Sequence, residues 1–515
     1  MKLEYKVNYK LPPLAWLARV HDGIAEIICG KQVEIHETFF VEGAWGGDFI
    51  NADFDSAEWF CGTGGILKED SIVFAAPTGM HAGLYMLPME KKVVVSNSLP
   101  FLMACEGYEF DSKWIGYESF FNFNILQGIY QYNPNVHTLR VEDGKRNSNE
   151  SIQMILFRNI SVTDQGSTSV TLKSETKGFD SFEEYYSRLS KTMKSLTANA
   201  QDNARKIKYE VTSFISSGYD AAACAAVAKE AGAKKVMTFS AKGKYAEDSG
   251  VGAAKYLGYE IIVERDADAY KSRNDFPETR SMAGGDIGTQ ISFCSFESDC
   301  KNHLVYSGEN GDFVWGKNKS FQTINDDIHI VWKNSEIGLW ESHIHQGYVP
   351  VPMTSFGIRH WSDLYRISNS KEMEQWSIGT DYDRPIPRRI LEEKGVPRET
   401  FGMRKRGAGF FYAYDWKKRI LSRMSAESAA DFADYLHKHK NAVPISACVK
   451  YIFANKGIYW NTLMAKRHIR LFVKQPLDKI EKRNAISNPF AARYLIPWAG
   501  QHVIEEYKQA LEGGS

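Results

Sequence analysis

From Ile207 to Gly232 the chain passes from an apolar, β-favouring run (Ile207 to Ile215) through Ser216-Ser217-Gly218-Tyr219-Asp220 into a small-residue helical run, Ala221 to Ala231. Further runs of the same two kinds follow. Lys235 to Ser240 predicts a strand, a helix ends at Leu257-Gly258, and strands are predicted again at Glu260 to Val263 and His303 to Ser307. Strands that alternate with helices need crossover connections, so they build a parallel sheet with helices on its faces. The fold class expected here is therefore α/β. In such a sheet, ligands bind beyond the carboxyl ends of the strands. The turn at Ser216 meets that rule, because a strand, a hydroxyl- and glycine-bearing turn and a helix N-terminus together present N–H groups to phosphate.

The first 145 or so residues have a different rhythm. Short β-favouring runs such as Ala25 to Cys29, Ser71 to Ala75 and Lys92 to Ser96 are broken by glycine clusters, which predicts a β-rich region. A helix is predicted over Trp114 to Phe123. The polar stretch Glu142 to Phe179 reads as a connection between domains, with two strand-like runs inside it. Ser181 and Glu184 form a capping box that opens a helix through Tyr185, Leu189, Met193 and Leu196. Beyond about residue 325 the pattern is mainly helical, with Ala426–His439, Ala447–Ala454 and Asn488–Leu511 as the clearest segments. Two domains are expected, 1–175 and 180–515.

Composition narrows the function classes. Lys+Arg and Asp+Glu both total 63 in 515 residues, so no global field draws the chain to nucleic acid or an anionic membrane. The seven cysteines are scattered and form no CxxC pair, which argues against a zinc ribbon or a disulfide framework. Reduced thiols, the absence of a signal-peptide core in MKLEYKVNYKLPP and the lack of any apolar run near ~18 residues lead to the expectation of a cytoplasmic protein.

Three separated segments carry candidate chemistry. Asp220 opens the helix after the first turn, and Asp312 ends Ser307-Gly308-Glu309-Asn310-Gly311-Asp312 after another apolar strand. Two such carboxylates can share one Mg²⁺ with phosphate oxygens. Ser216, Ser217 and Gly218 would cradle phosphate, and Ser240 and Gly308 are further nucleotide-binding candidates. The third segment, Arg404-Lys405-Arg406-Gly407-Ala408-Gly409, offers a lysine that can neutralise charge developing on a leaving pyrophosphate. Taken singly, each segment is more often a turn or a surface patch. Their order along the chain carries the reading.

These motifs resemble those of the asparagine synthetase family. Ser216 to Ala221 is similar to that family's SGGxDS phosphate loop, Gly308 to Phe313 to its GxGADE motif, and Lys405 to the lysine of its late basic loop. Glu247-Asp248, ahead of Ala253 to Gly258, is similar to the acidic pair of the next helix. In the first third, VFAAPTGMHAGLY (Val73 to Tyr85) resembles DRxGxxPLYY, and Ser96 to Leu102 resembles SExKALL. The resemblance implies an N-terminal Ntn-type α+β domain of sandwiched sheets, followed by a parallel-sheet PP-loop ATP pyrophosphatase domain with a helical C-terminal part. It also implies a degenerate glutaminase half. Glutamine-dependent members expose a cysteine directly after Met, whereas this chain reads Met1-Lys2-Leu3 with no cysteine before Cys29.

The activity so implied is ATP- and Mg²⁺-dependent adenylation of a carboxylate, followed by amide formation with ammonia or an amine. The nitrogen would come from solution, from a second substrate or from a separate glutaminase subunit, with no nucleic-acid or membrane partner. Ala221 and Phe313 depart from the family's serine and glutamate. Arg384, Arg388, Arg389 and Arg398 are candidates to grip a second carboxylate or a phosphate, or else to pair with Glu392 and Glu393. A sugar carboxylate of surface-polysaccharide synthesis is the suggested substrate. An intramolecular cyclase resembling β-lactam synthetase or lasso-peptide cyclases, and a non-catalytic scaffold, are the alternatives.

Overall fold

The computed structural model describes the chain except for residues 80, 115, 125–127, 143–144, 148–151, 175, 241–247, 287, 289, 318–338, 381, 404–416, 440–490 and 514–515. The first third builds two sheets. One has seven strands in the order Lys2–Val7, Ile24–Cys29, Trp16–His21, Val93–Ser96, Leu84–Pro88, Ile152–Ile155, Asn135–Val136. The other has six, in the order Thr168–Leu172, Arg158–Thr163, Ser71–Ala75, Phe60–Lys68, Phe39–Trp45, Glu34–Ile35. Alternate residues of facing strands meet in one buried layer, with Trp16, Val20, Ile27 and Val95 from the first sheet against Phe40, Ile72, Phe74 and Ile160 from the second. Trp16 centres that layer. Its ring lies 4.9 Å from Phe40 and 5.9 Å from Phe74, and its Nε1 donates to Thr63 Oγ1 at 2.9 Å. A buried indole needs such an acceptor.

Between 142 and 179 the described residues hold strands of these two sheets, so the strand-like runs are present and the stretch is more than a connection. Ile152–Ile155 pairs with Leu84–Pro88, and Arg158–Thr163 pairs with both Ser71–Ala75 and Thr168–Leu172. The polar residues face outward from strands whose other face, Ile160 and Val162, is core. Period-two alternation hides apolar content when half of each strand is exposed.

On the outer side of the seven-stranded sheet, Leu17, Leu87 and Val94 join the helices Leu99–Glu106 and Leu495–Glu512 in a shared core. Phe101 and Tyr507 stack at 4.7 Å, and Asn8 Nδ2 donates to the Ala510 carbonyl at 3.0 Å. The last described helix thus returns to the first sheet. Helices Ala426–His439 and Tyr117–Phe123 fall within or on the predicted spans, whereas Ala447–Ala454 lies outside the described residues.

The second half is built on a five-stranded sheet in the order Ile261–Arg265, Lys235–Phe239, Glu210–Phe214, His303–Ser307, Val349–Pro352. Every pair is parallel. The overall class is therefore mixed α/β with a parallel sheet. Its last strand was unexpected, because Pro350 and Pro352 argue against a strand. At a sheet edge, however, a missing N–H faces away from the ladder and is tolerated. Helix Phe182–Ala200 opens as the capping box requires, with Glu184 N donating to Ser181 Oγ at 3.2 Å. The Glu184 carboxylate accepts from Asp180 N at 3.0 Å rather than from the cap residue itself. Among the described residues no helix is long and apolar enough to cross a membrane.

Candidate functional site at the carboxyl edge of the parallel sheet

Strand Glu210–Phe214 sits between Lys235–Phe239 and His303–Ser307, with Ser213 opposite Tyr306 and Phe214 opposite Met237. Because all three strands are parallel, Ser216, Ser240 and Gly308 leave the sheet at the same edge. Ile215 N still donates to Met237 O at 2.9 Å, and Ser240 N to Arg265 O at 2.8 Å. Both strand ends are therefore pinned before the loops begin.

The turn after Ile215 is held from several sides. Gly218 N donates to Ser216 Oγ at 3.1 Å. Ser217 donates twice to Asp248, from its hydroxyl to Oδ1 and from its N–H to the carbonyl, both at 3.2 Å. The Ser217 carbonyl in turn accepts from Gly402 N at 2.7 Å. The backbone N–H of Ser217, expected to face phosphate, is thus engaged by Asp248. The helix Tyr219–Glu230 starts directly afterwards, with Gly218 as its cap and Asp220 in its first turn.

The second loop packs directly on that helix start. A Cβ on Gly308 would stand 2.5 Å from the Ala221 nitrogen, and one on Gly311 would stand 2.6 Å from the Asp220 carboxylate. Between them Asn310 adopts φ 64°, a left-handed conformation that asparagine tolerates, and turns the chain into Gly311–Val314. Asp312 lies in that first turn. Glu309 accepts from Gln290 Nε2, and its carbonyl accepts from the Thr354 hydroxyl.

Tyr382 closes one side. Its ring lies 4.5 Å from that of Tyr219, whose hydroxyl donates to the Tyr382 carbonyl. Burial raises the Tyr382 pKa, and the negative charges of Asp220 and Asp312 raise it further. Chain separation hides this: Tyr382 carries no local signal of its neighbourhood beyond the demand of a buried Tyr219 for an aromatic partner.

Among the described residues no group of three or more His, Cys, Asp or Glu could hold a metal ion by itself. Gly308 and Gly311 let the loop that carries Asp312 approach Asp220, and two carboxylates are the donor type a hard cation takes together with phosphate oxygens. Lys405 and Glu247 lie outside the described residues.

The four arginines offered as a ligand grip are engaged elsewhere. Arg389 bonds Glu183, Glu372 and Glu393. Arg398 makes two 2.8 Å bonds to Glu392. Arg388 is fully buried, with its guanidinium 5.2 Å from the Tyr219 ring and 5.1 Å from Phe401. Arg384 lies over Tyr382 and donates to the Asp383 carbonyl at 2.9 Å. For Arg388, Arg389 and Arg398, pairing with Glu392 or Glu393, the alternative left open by the sequence, is what the structure contains. Arg384 and Arg388 form a cationic, aromatic backing to Tyr219.

No family model matches the chain, and neither does any curated protein. Among solved structures, it is similar to a glutamine-dependent NAD+ synthetase from Acinetobacter baumannii, determined in complex with ADP, at 12% identity and a TM-score of 0.23. The match covers 71% of this chain and 59% of that one. At that TM-score the likeness fixes neither fold nor function.

Proposed function

We propose that the chain is an ATP-dependent carbon–nitrogen ligase that adenylates a substrate carboxylate and passes the acyl group to ammonia or an amine. One observation carries this reading: through Gly308 and Gly311 the loop that bears Asp312 packs directly on Asp220 and Ala221 at the start of helix Tyr219–Glu230, so both aspartates stand beyond the carboxyl ends of adjacent parallel strands. Glycine is needed there because any Cβ would strike the helix start or the carboxylate.

In this reading the N-terminus of helix Tyr219–Glu230, which Gly218 caps, faces the phosphates, with Ser216 and Ser217 shaping the loop and Ser240 and Gly308 flanking the nucleotide. Asp220 and Asp312 would hold Mg²⁺, which when bound neutralises phosphate charge and orients the oxygens for in-line attack. Lys405 would stabilise charge developing on the pyrophosphate. The missing hydroxyl at Ala221 weakens nucleotide binding by about 0.5–1.5 kcal/mol, too little to abolish it. The two-sheet sandwich is assigned an Ntn-type fold without glutaminase activity, so nitrogen arrives as ammonia, from a partner glutaminase or on an amine substrate. The protein would work in the cytoplasm.

ATP–pyrophosphate exchange with a panel of carboxylates, uronic acids included, tests this. Exchange should appear with at least one acid and vanish in Asp220→Ala and Asp312→Ala. Gly311→Val should abolish it as well, by driving a branched side chain into Asp220. Exchange that survives both aspartate changes, or that no acid supports, removes the ligase reading in favour of a scaffold.

A further inference from the structure

A cavity of about 440 Å³ opens where the sandwich meets the second half of the chain, lined on one side by the segment Ser355 to Arg359 that follows the edge strand Val349–Pro352. Trp59, Phe157 and Phe356 give it an aromatic wall, and Lys173 and Arg359 stand at its polar side. Lys173 is 7% exposed, follows strand Thr168–Leu172, and has only neutral partners. Its Nζ donates to Asn159 Oδ1 at 2.9 Å and weakly to the Asp55 carbonyl at 3.5 Å. The Asp55 carboxylate is instead paired with Lys68 at 2.9 Å. Among the described residues the third hydrogen of a Lys173 ammonium meets no acceptor.

Arg359 uses one Nη to hold the carbonyls of Lys173 and Ser174, at 3.1 and 2.9 Å. Among the described residues its other two nitrogens have no hydrogen-bond partner, and Arg359 lines the cavity. The other charged groups facing this space are already matched or peripheral: Glu58 pairs with Arg188, and Lys177 with Glu184. An unpaired guanidinium edge suits a carboxylate, and a buried lysine amine whose hydrogen-bond partners are all neutral suits an electrophile more than an anion.

We propose that this cavity is a second small-molecule site, in which the Lys173 amine condenses with a carbonyl compound whose carboxylate rests on Arg359. The nitrogen lone pair attacks the carbonyl carbon. The carbinolamine then loses water, made from the carbonyl oxygen and the two hydrogens of the amine, to leave an imine. No oxidant or reductant takes part. The step requires a neutral amine, and burial, only partly opposed by Asp55, pushes the Lys173 pKa down from 10.5 to about 7.

Glyoxylate, which carries an aldehyde and a carboxylate, is the probe, with cyanoborohydride to trap the imine and peptide mass spectrometry to locate it on the full chain. Near pH 7 the neutral fraction of Lys173 exceeds that of an ordinary lysine on the order of a thousandfold, so Lys173 should be carboxymethylated well before surface lysines. Acetaldehyde, lacking the acid, should show much less preference for Lys173 in the wild-type protein. Arg359→Gln should remove the advantage of glyoxylate over acetaldehyde, while Lys173→Met should abolish the early label and leave ATP–pyrophosphate exchange unchanged. Labelling of Lys173 no faster than surface lysines, or equal preference for both aldehydes in the wild-type chain, overturns the proposal. Both comparisons need only the wild-type protein, so a variant that fails to fold does not rescue it.

Discussion

Two buried cations in this protein have opposite surroundings. Arg389, its side chain 11% exposed, is held by Glu183, Glu372 and Glu393 and lies 4.0 Å from the Phe182 ring and 4.4 Å from Trp376. Burial works against its charge, but the bonds to Glu393, Glu372 and Glu183 win, and its pKa is raised. Lys173 is buried too, with an amide oxygen and a distant carbonyl in place of carboxylates, and its pKa falls to about 7. Burial alone therefore does not decide what a cation does. The partner set does: three carboxylates make a fixed structural joint, and neutral acceptors leave a titratable amine.

Breaking the joint should have the largest effect. Arg389→Met leaves three carboxylates crowded at one place and loses the stacking on Phe182 and Trp376. Because those acids are about half exposed, the cost should fall below that of a fully buried pair, at about 2–3 kcal/mol by urea denaturation. Replacing Lys173 should behave differently. Lys173→Met exchanges an uncompensated amine for an apolar side chain of similar length, so stability near pH 7 should change by less than about 1 kcal/mol.

Its pH dependence then separates the two cations. Between about 7 and 10.5 Lys173 is neutral when folded and protonated when unfolded, so folding releases a proton and stability rises with pH. Relative to Lys173→Met, the wild-type chain should gain about 1 kcal/mol from pH 7 to pH 8. No such gain, or a loss, would mean that Lys173 keeps its charge in the fold and that the contrast with Arg389 is wrong.

Part of this organisation is legible in the sequence. The alternation after Ile207 reports the parallel sheet because β-favouring runs there alternate with small-residue helical runs that end at Gly232 and Gly258. The predicted strand Lys235 to Ser240 differs from the observed Lys235–Phe239 by one residue. Where half of each strand faces solvent, as in Arg158–Thr163, the same physics hides the strand inside a polar stretch. Val349–Pro352 is hidden for another reason, since its prolines are acceptable only at an edge, and which strand is the edge is a property of the whole sheet.

The site divides in the same way. Glycine and aspartate spacing marks the two loops locally, whereas the meeting of Tyr382 with Asp220 and Asp312 depends on packing between distant segments. The arginines between 384 and 398 mislead from sequence because a guanidinium awaiting a ligand and one already bound to glutamates are spelled the same way.

Arg398 gives the smallest and most discriminating test of the same idea. It makes the geometrically best ion pair of that cluster, two 2.8 Å bonds to Glu392. Yet its side chain is 43% exposed, so water screens both charges and competes for every bond. Arg398→Gln should therefore cost only about 0.2–1 kcal/mol in urea denaturation, less than Arg389→Met despite the better geometry. If instead it costs as much as Arg389→Met, geometry rather than burial of the partner set governs these cations, and Lys173 should then be no more reactive than a lysine on the surface.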